Sequence, residues 1–342
     1  MATTSATGTE FSGETAALLA EGEGLPPGIG PWALAWRRLR RNKTALAFGG
    51  LFILIVVVCL LAPVYSHAIA HIGPADETYL SKPFNVKTQE FAVSPTGIPI
   101  GPTWHSRFFL GADANGRDVA VRLLYGGRNS LEIGFVATMI TMVLALILGV
   151  WSGYFRGISD GVINRFLDII WAYPAVLLGV TLGTVLAVGG IGPLHGTALL
   201  VPAIVIGIVY IPYVAKPVRG QVLTLREREF VDAARQQGLS HARIMFSEIL
   251  PNLASTIIVF FPLILANAIL LEAALTYLGA GVQPPNASWG TMISDGISTI
   301  PAAFHNVLVP GIMLVLCVLS INVFGDGLRD ALDPRAKVRI AH

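Results

Sequence analysis

Few residues of this chain stand where chemistry could be done. Gly111 to Asp118 reads GADANGRD, with glycines at the spacing of a phosphate-cradling loop. It lacks the closing Gly-Lys-Ser/Thr that supplies a lysine for the phosphates and a hydroxyl for the metal. The seven histidines are scattered. His67 and His71 share a helix face by spacing, yet no third ligand or base accompanies them. Cys59 and Cys317 fall inside apolar runs and read as small buried hydrophobes. Asn286-Ala287-Ser288 fits a glycosylation sequon by coincidence. No nucleophile–base pair, metal-ligand cluster or HExxH occurs. The chain is therefore read as non-catalytic, with no catalytic residue, cofactor or metal of its own.

Two polar residues remain. Glu272 lies within the apolar run LILANAILLEAALTYLG, and Asn267 precedes it in the same run. A carboxylate near mid-bilayer costs about 2.5–3.5 kcal/mol on insertion scales, so such groups face a bundle interior or an aqueous cavity. Two readings stand for Glu272: a satisfied buried hydrogen bond, or a place on a translocation path or gate. Asn267 is a similar candidate for the path. No series of ionisable residues at helical spacing joins them, which argues against a proton relay.

The elements that hold these residues are apolar. Hydrophobic residues make up 54% of the 342 and charged residues 13%. A soluble domain carries roughly 25% charged residues. A spanning helix needs about 20 apolar residues, and six segments supply them: roughly 44–65, 130–155, 166–189, 198–215, 254–278 and 305–325. Asp168 and Pro174 weaken the third. None of the 23 lysines and arginines falls within the six. Basic residues crowd one side of the implied membrane: Arg37 to Lys43, Arg156 and Arg165, Lys216 to Arg243, and Arg329 to Arg339. The positive-inside rule puts that side, with both termini, in the cytoplasm. The expected fold is an all-α membrane protein of six transmembrane helices. Residues 1–35 form a disordered cytoplasmic tail. Residues 36–65 are an amphipathic segment and the first span. A long extracytoplasmic loop follows over 66–129, then a core of five spans over 130–335 and a short tail, 336–342. Gly149/Gly153 and Gly179/Gly183 are small-xxx-small pairs that would let helices approach closely.

One polar stretch interrupts the apolar core on the basic side. Residues 229–252 read EFVDAARQQGLSHARIMFSEILPN, within a loop spanning 226–252. The first half has the spacing of a short amphipathic helix. Gly238 sits where a left-handed residue would end that helix. Ser240 would cap a second helix running to Pro251. Small residues Ala233, Ala234 and Gly238 would allow another surface to come close. On periodicity alone, the pair could equally lie on the headgroups.

The stretch resembles the "EAA" loop of permeases of binding-protein-dependent ABC importers. Asp232-Ala233-Ala234, then Gly238 and Leu250-Pro251, follow its pattern, with Asp in place of the first Glu. Further segments resemble the C-type permease subunit of dipeptide, oligopeptide and nickel importers: FLGADANGRDVAVRLLYGGRNSLEIG, GYFRGISDGVINRFLDIIWAYP, EAALTYLGAGVQPPNASWGTMI and FGDGLRDALDPR. The resemblance implies the type I importer permease fold in the plasma (inner) membrane of a prokaryote. It implies docking of the loop (Glu229, Phe230, Asp232, Ala233, Ala234, Gly238, Arg243, Leu250, Pro251) into a cytoplasmic ATPase. The implied partners are a homologous B-type permease, two ABC ATPase subunits or domains that hold ATP and magnesium, an extracytoplasmic solute-binding protein, and membrane lipid, with no nucleic acid. Peptides are the implied solute; nickel or another small solute is the alternative. An ATP-independent secondary transporter and a membrane-anchored scaffold are the competing classes.

Overall fold

The computed structural model describes residues 31–71, 84–85, 90–91, 93, 98–105, 108–189, 199–283 and 286–332. The expectations for 1–30, for the tail 336–342 and for much of the loop 66–129 lie outside the described residues.

Helix α1 (Pro31–Arg41) leads through Asn42, whose side chain accepts from Ala45 N, into α2 (Lys43–Leu60). The short α3 (Ala62–Ala68) follows with Pro63 in its first turn. Two two-residue strands, Phe84–Asn85 and Glu90–Phe91, pair antiparallel in the described part of the long loop. The central element is α4 (Val119–Phe155). At 1.5 Å per residue its 37 residues span about 55 Å, well beyond a hydrocarbon core of about 30 Å. It starts at Val119 rather than near 130, because Asp118 caps it by accepting from Ala120 N and Val121 N.

The third apolar segment is not one straight helix. Pro174 holds Tyr173 in an extended conformation (φ −94°, ψ 141°). There α5 (Gly157–Ala172) and α6 (Ala175–Gly189) meet at 95°. The fourth segment is also bent, by 41° at Tyr210, between α7 (Leu200–Val209) and α8 (Ile211–Leu225). Beyond the polar loop come α12 (Ala254–Tyr277), α13 (Trp289–Gly296), the single turn α14 (Ile300–Ala303) and α15 (His305–Leu332). Among the described residues, four helices are long and apolar enough to cross a membrane unbroken; counting each bent pair as one span gives the expected six.

Close approach around α4 is set by glycine. A Cβ on Gly149 would lie 2.8 Å from the Ala215 carbonyl oxygen, and one on Gly153 would lie 2.7 Å from Val222 Cβ. Both pack on α8. Gly179 and Gly183 meet Leu275 and Ala280 in the same way. Thr141 Oγ1 donates to the Gly207 carbonyl (2.8 Å) and ties α4 to α7 as well. Large apolar side chains such as Ile53, Leu54, Ile147 and Val315 point outward, as they would toward lipid.

Candidate functional site

The polar stretch folds as two short helical pieces around a glycine. Helix α9 (Glu229–Gln236) ends before Gly238, whose φ of +76° is the left-handed conformation its position required. Ser240 caps the second piece by accepting from Arg243 N. That piece is not the regular helix its spacing suggested. After α10 (His241–Arg243) the turns widen over Ile244–Ile249, where Leu250 N donates to Met245 O, and α11 (Leu250–Asn252) completes it. Pro251 has no N–H to offer the Ser247 carbonyl four residues back, so the ladder opens there. The neighbouring Glu248 carbonyl accepts from Asn252 Nδ2 (2.6 Å).

One side of this unit is fixed to the bundle. Val231, Ala234, Ile244, Ile249 and Leu253 are buried in a cluster with Tyr154, Leu167, Val218 and Val222. Ala234 thus packs inward, contrary to the sequence expectation, in the buried cluster that also holds residues of α4 and α8. Polar contacts reinforce the seat. Arg226 donates to the Tyr154 carbonyl (2.5 Å), and the Tyr154 hydroxyl lies 2.9 Å from His241 Nδ1. Arg219 makes a two-pronged bond to Asp160 (2.6 and 2.7 Å), and Lys216 pairs with Asp168 at 2.6 Å while lying over the Trp171 ring. Asp160 lies beyond the apolar runs, and its hydrogen bonds from Arg219 hold its carboxyl below the ordinary range.

The other side is open. Glu229, Phe230, Asp232, Ala233, Gly238, Arg243 and Pro251 are exposed and Leu250 is half-buried. Phe246, which sequence reasoning did not single out, is 70% exposed. A rigid knob with an apolar tip and a charged rim can be gripped by another protein.

At the far end of the bundle the other candidates separate. Glu272 is fully buried, so it does not line an open path. Ser130 Oγ donates to its Oε2 (2.8 Å) and Thr276 Oγ1 to its Oε1 (2.9 Å). Asn267 is partly exposed between Leu263 and Leu270 on the open side of α12. Its side-chain amide donates to the Leu263 carbonyl (2.7 Å), and its main-chain carbonyl accepts from the Tyr210 hydroxyl (3.3 Å). GADANGRD forms a polar knot rather than a phosphate cradle. Asp113 accepts from the N–H groups of Asn115 and Arg117, and together with Asp295 it engages the guanidinium groups of Arg117 and Arg122. Among the described residues no cluster could hold a metal ion.

Comparison with known proteins agrees with this architecture. Residues 145–338 match the family "binding-protein-dependent transport system inner membrane component", and residues 30–83 match the N-terminal transmembrane domain of oligopeptide transport permease C. The chain is 36% identical over 312 residues to the dipeptide transport system permease protein DppC of Alkalihalophilus pseudofirmus, covering 90% of this chain and 91% of that one. The chain belongs to this family. It is therefore a multi-pass inner-membrane permease component of a binding-protein-dependent transport system. Other relatives are the di/tripeptide permease DppC of Pseudomonas aeruginosa (36% identity, 88% of this chain, 91% of that one) and the glutathione permease GsiD of Pectobacterium atrosepticum (33%, 90% and 92%). An inward-facing structure of the MetNI methionine ABC transporter matches 62% of this permease and 96% of its own chain, at TM-score 0.51 and 19% identity. That likeness shows the shared fold.

Proposed function

We propose that this permease forms half the translocation path of an ATP-driven peptide importer. Its loop 226–252 is the handle by which an ATPase moves the membrane helices. The observation that carries the reading is the two-sided loop: Val231, Ile244 and Ile249 are sunk into the bundle, while Phe230 and Phe246 stand out at the opposite surface. A push on the open side is delivered to α4 and α8 because the buried side has no slack.

The basic residues around this end favour the cytoplasm for it and for both termini, by the positive-inside rule. ATP and magnesium bind on two partner ATPase subunits or domains. A B-type sister permease completes the path, and a solute-binding protein docks on the other face. Relatives named for dipeptides, di/tripeptides and glutathione favour a peptide over nickel. Asn267, on the open side of α12, is the path residue this reading retains.

The test is uptake of a labelled dipeptide into proteoliposomes that hold the complete importer. Uptake should need the binding protein, both permeases and ATP hydrolysis. Accumulation without the ATPase would favour a secondary transporter.

A further inference from the structure

A fully buried carboxylate inside a membrane protein needs a reason. Glu272 closes two hydrogen-bond chains that begin on the segment following α12. Trp289 N donates to Ser130 Oγ (3.2 Å), which donates to Glu272. Val282 N donates to Thr276 Oγ1 (3.0 Å), which donates to Glu272 as well. Each hydroxyl spends a lone pair on a main-chain N–H and turns its own hydrogen toward the carboxylate. An acceptor with two free oxygens satisfies both at once.

The first chain holds the short helix α13, which is fastened elsewhere too, and the second holds the turn at Val282 to α12. Trp289 is fully buried, and its indole N–H donates to the Leu123 carbonyl (3.1 Å). Asn129 donates to the Ala287 carbonyl (2.7 Å). At the other end of α13, Asp295 takes Arg117 (2.6 Å) and Arg122 (3.1 Å) from the start of α4. Gly290 lets α13 lie against α12, where an added Cβ would stand 2.9 Å from Ala273 Cα. A leucine would be easier to bury at position 272, so what the carboxylate adds is placement.

We propose that Glu272 is a positioning residue: it locks α13 to α4 and α12, so that the three tilt as one body when the outer mouth opens. The proposal rests on the transport reading and assigns that movement a rigid part. A glutamine would turn an amide N–H₂ toward a hydroxyl oxygen already in use, and would break one chain.

Hydrogen exchange of the complete importer in lipid nanodiscs reads the lock, and peptide uptake per ATP hydrolysed in proteoliposomes reads its use. Glu272→Ala should speed exchange of the amides over 282–296 and lower uptake per ATP by roughly tenfold, a normal size for a coupling between sites. ATP hydrolysis in the absence of binding protein should rise. Glu272→Gln and Ser130→Ala should do the same to a smaller degree, and they decide the matter if the alanine variant does not assemble. Faster exchange with unchanged uptake per ATP would reduce Glu272 to a brace and overturn the proposal, as would unchanged exchange. Failure of the unaltered importer to take up peptide would instead refute the transport reading, and the exchange result would still stand by itself.

Discussion

Gly238 and Phe246 carry the argument at the scale of single residues. Gly238 has open space around it, so a side chain there meets no clash. Its φ of +76° still penalises a β-branched residue by about 1–3 kcal/mol. Gly238→Val should leave insertion intact and lower ATP-driven uptake relative to ATP hydrolysis; equal ratios in the two proteins would count against a rigid handle. Phe246 is exposed without a partner ring among the described residues, and it lies at the tip the ATPase would grip. Phe246→Ala should weaken ATPase association by roughly tenfold, the effect of losing an aromatic anchor worth about 1–2 kcal/mol, as measured by co-purification at graded detergent and salt. Asp160 supplies a pH dependence. Its carboxyl is held low by Arg219, so its stabilisation is complete above the ordinary carboxylate range and is lost as pH falls below that range through its own lowered pKa. Thermal stability of the wild-type should therefore drop on acidification more than that of Asp160→Asn; parallel curves would remove this role.

At the scale of elements, α4 packs closely on α8 at Gly149 and Gly153, and the proposed handle would pass its motion into the membrane through that joint. A larger side chain at Gly153 would press on Val222 Cβ and the Arg219 carbonyl, at a cost of about 1–3 kcal/mol. Gly153→Leu should displace α8 and with it the loop, seen as lower thermal stability of the assembled complex and loss of ATPase co-purification. Retention of both would mean the joint tolerates slack. The elements were unevenly legible from sequence. Uninterrupted apolar runs disclosed the spans, and Gly238 disclosed the turn, because both signals are local. Pro174 signalled a break, yet proline constrains only its own φ and the residue before it, so the 95° bend could not be read. The widened turn before Pro251 was hidden because it keeps the apolar spacing of a regular helix. The early start of α4 was hidden too. Arg117, Arg122 and Asn129 look like solvated loop residues until Asp295 and Ala287 arrive from far along the chain. Glu272 was visible as an anomaly, but its partner Ser130 lies 142 positions away and no pattern joins them.

At the scale of the whole molecule, the chain has a fastened end and, in the proposed reading, an end that an ATPase grips. The loop end gathers the basic residues, the Asp160–Arg219 and Asp168–Lys216 pairs and the exposed aromatic tip. The far end gathers the Glu272 chains and the ring of Asp113, Arg117, Arg122 and Asp295. The long α4 joins them. Such a lever fits a permease component of a binding-protein-dependent system. A mixture of unlabelled di- and tripeptides should compete with labelled dipeptide for uptake by the complete importer, whereas nickel should not. The reverse order would reassign the solute while leaving the mechanics unchanged.

The most direct test of the handle is cross-linking from its tip. A photoreactive or thiol cross-linker at Phe246→Cys, in inverted membrane vesicles carrying the complete importer, should capture an ATPase subunit. The yield should change when ATP is added. Capture of the extracytoplasmic binding protein instead, or labelling of that position from the outer face of intact cells, would contradict the account.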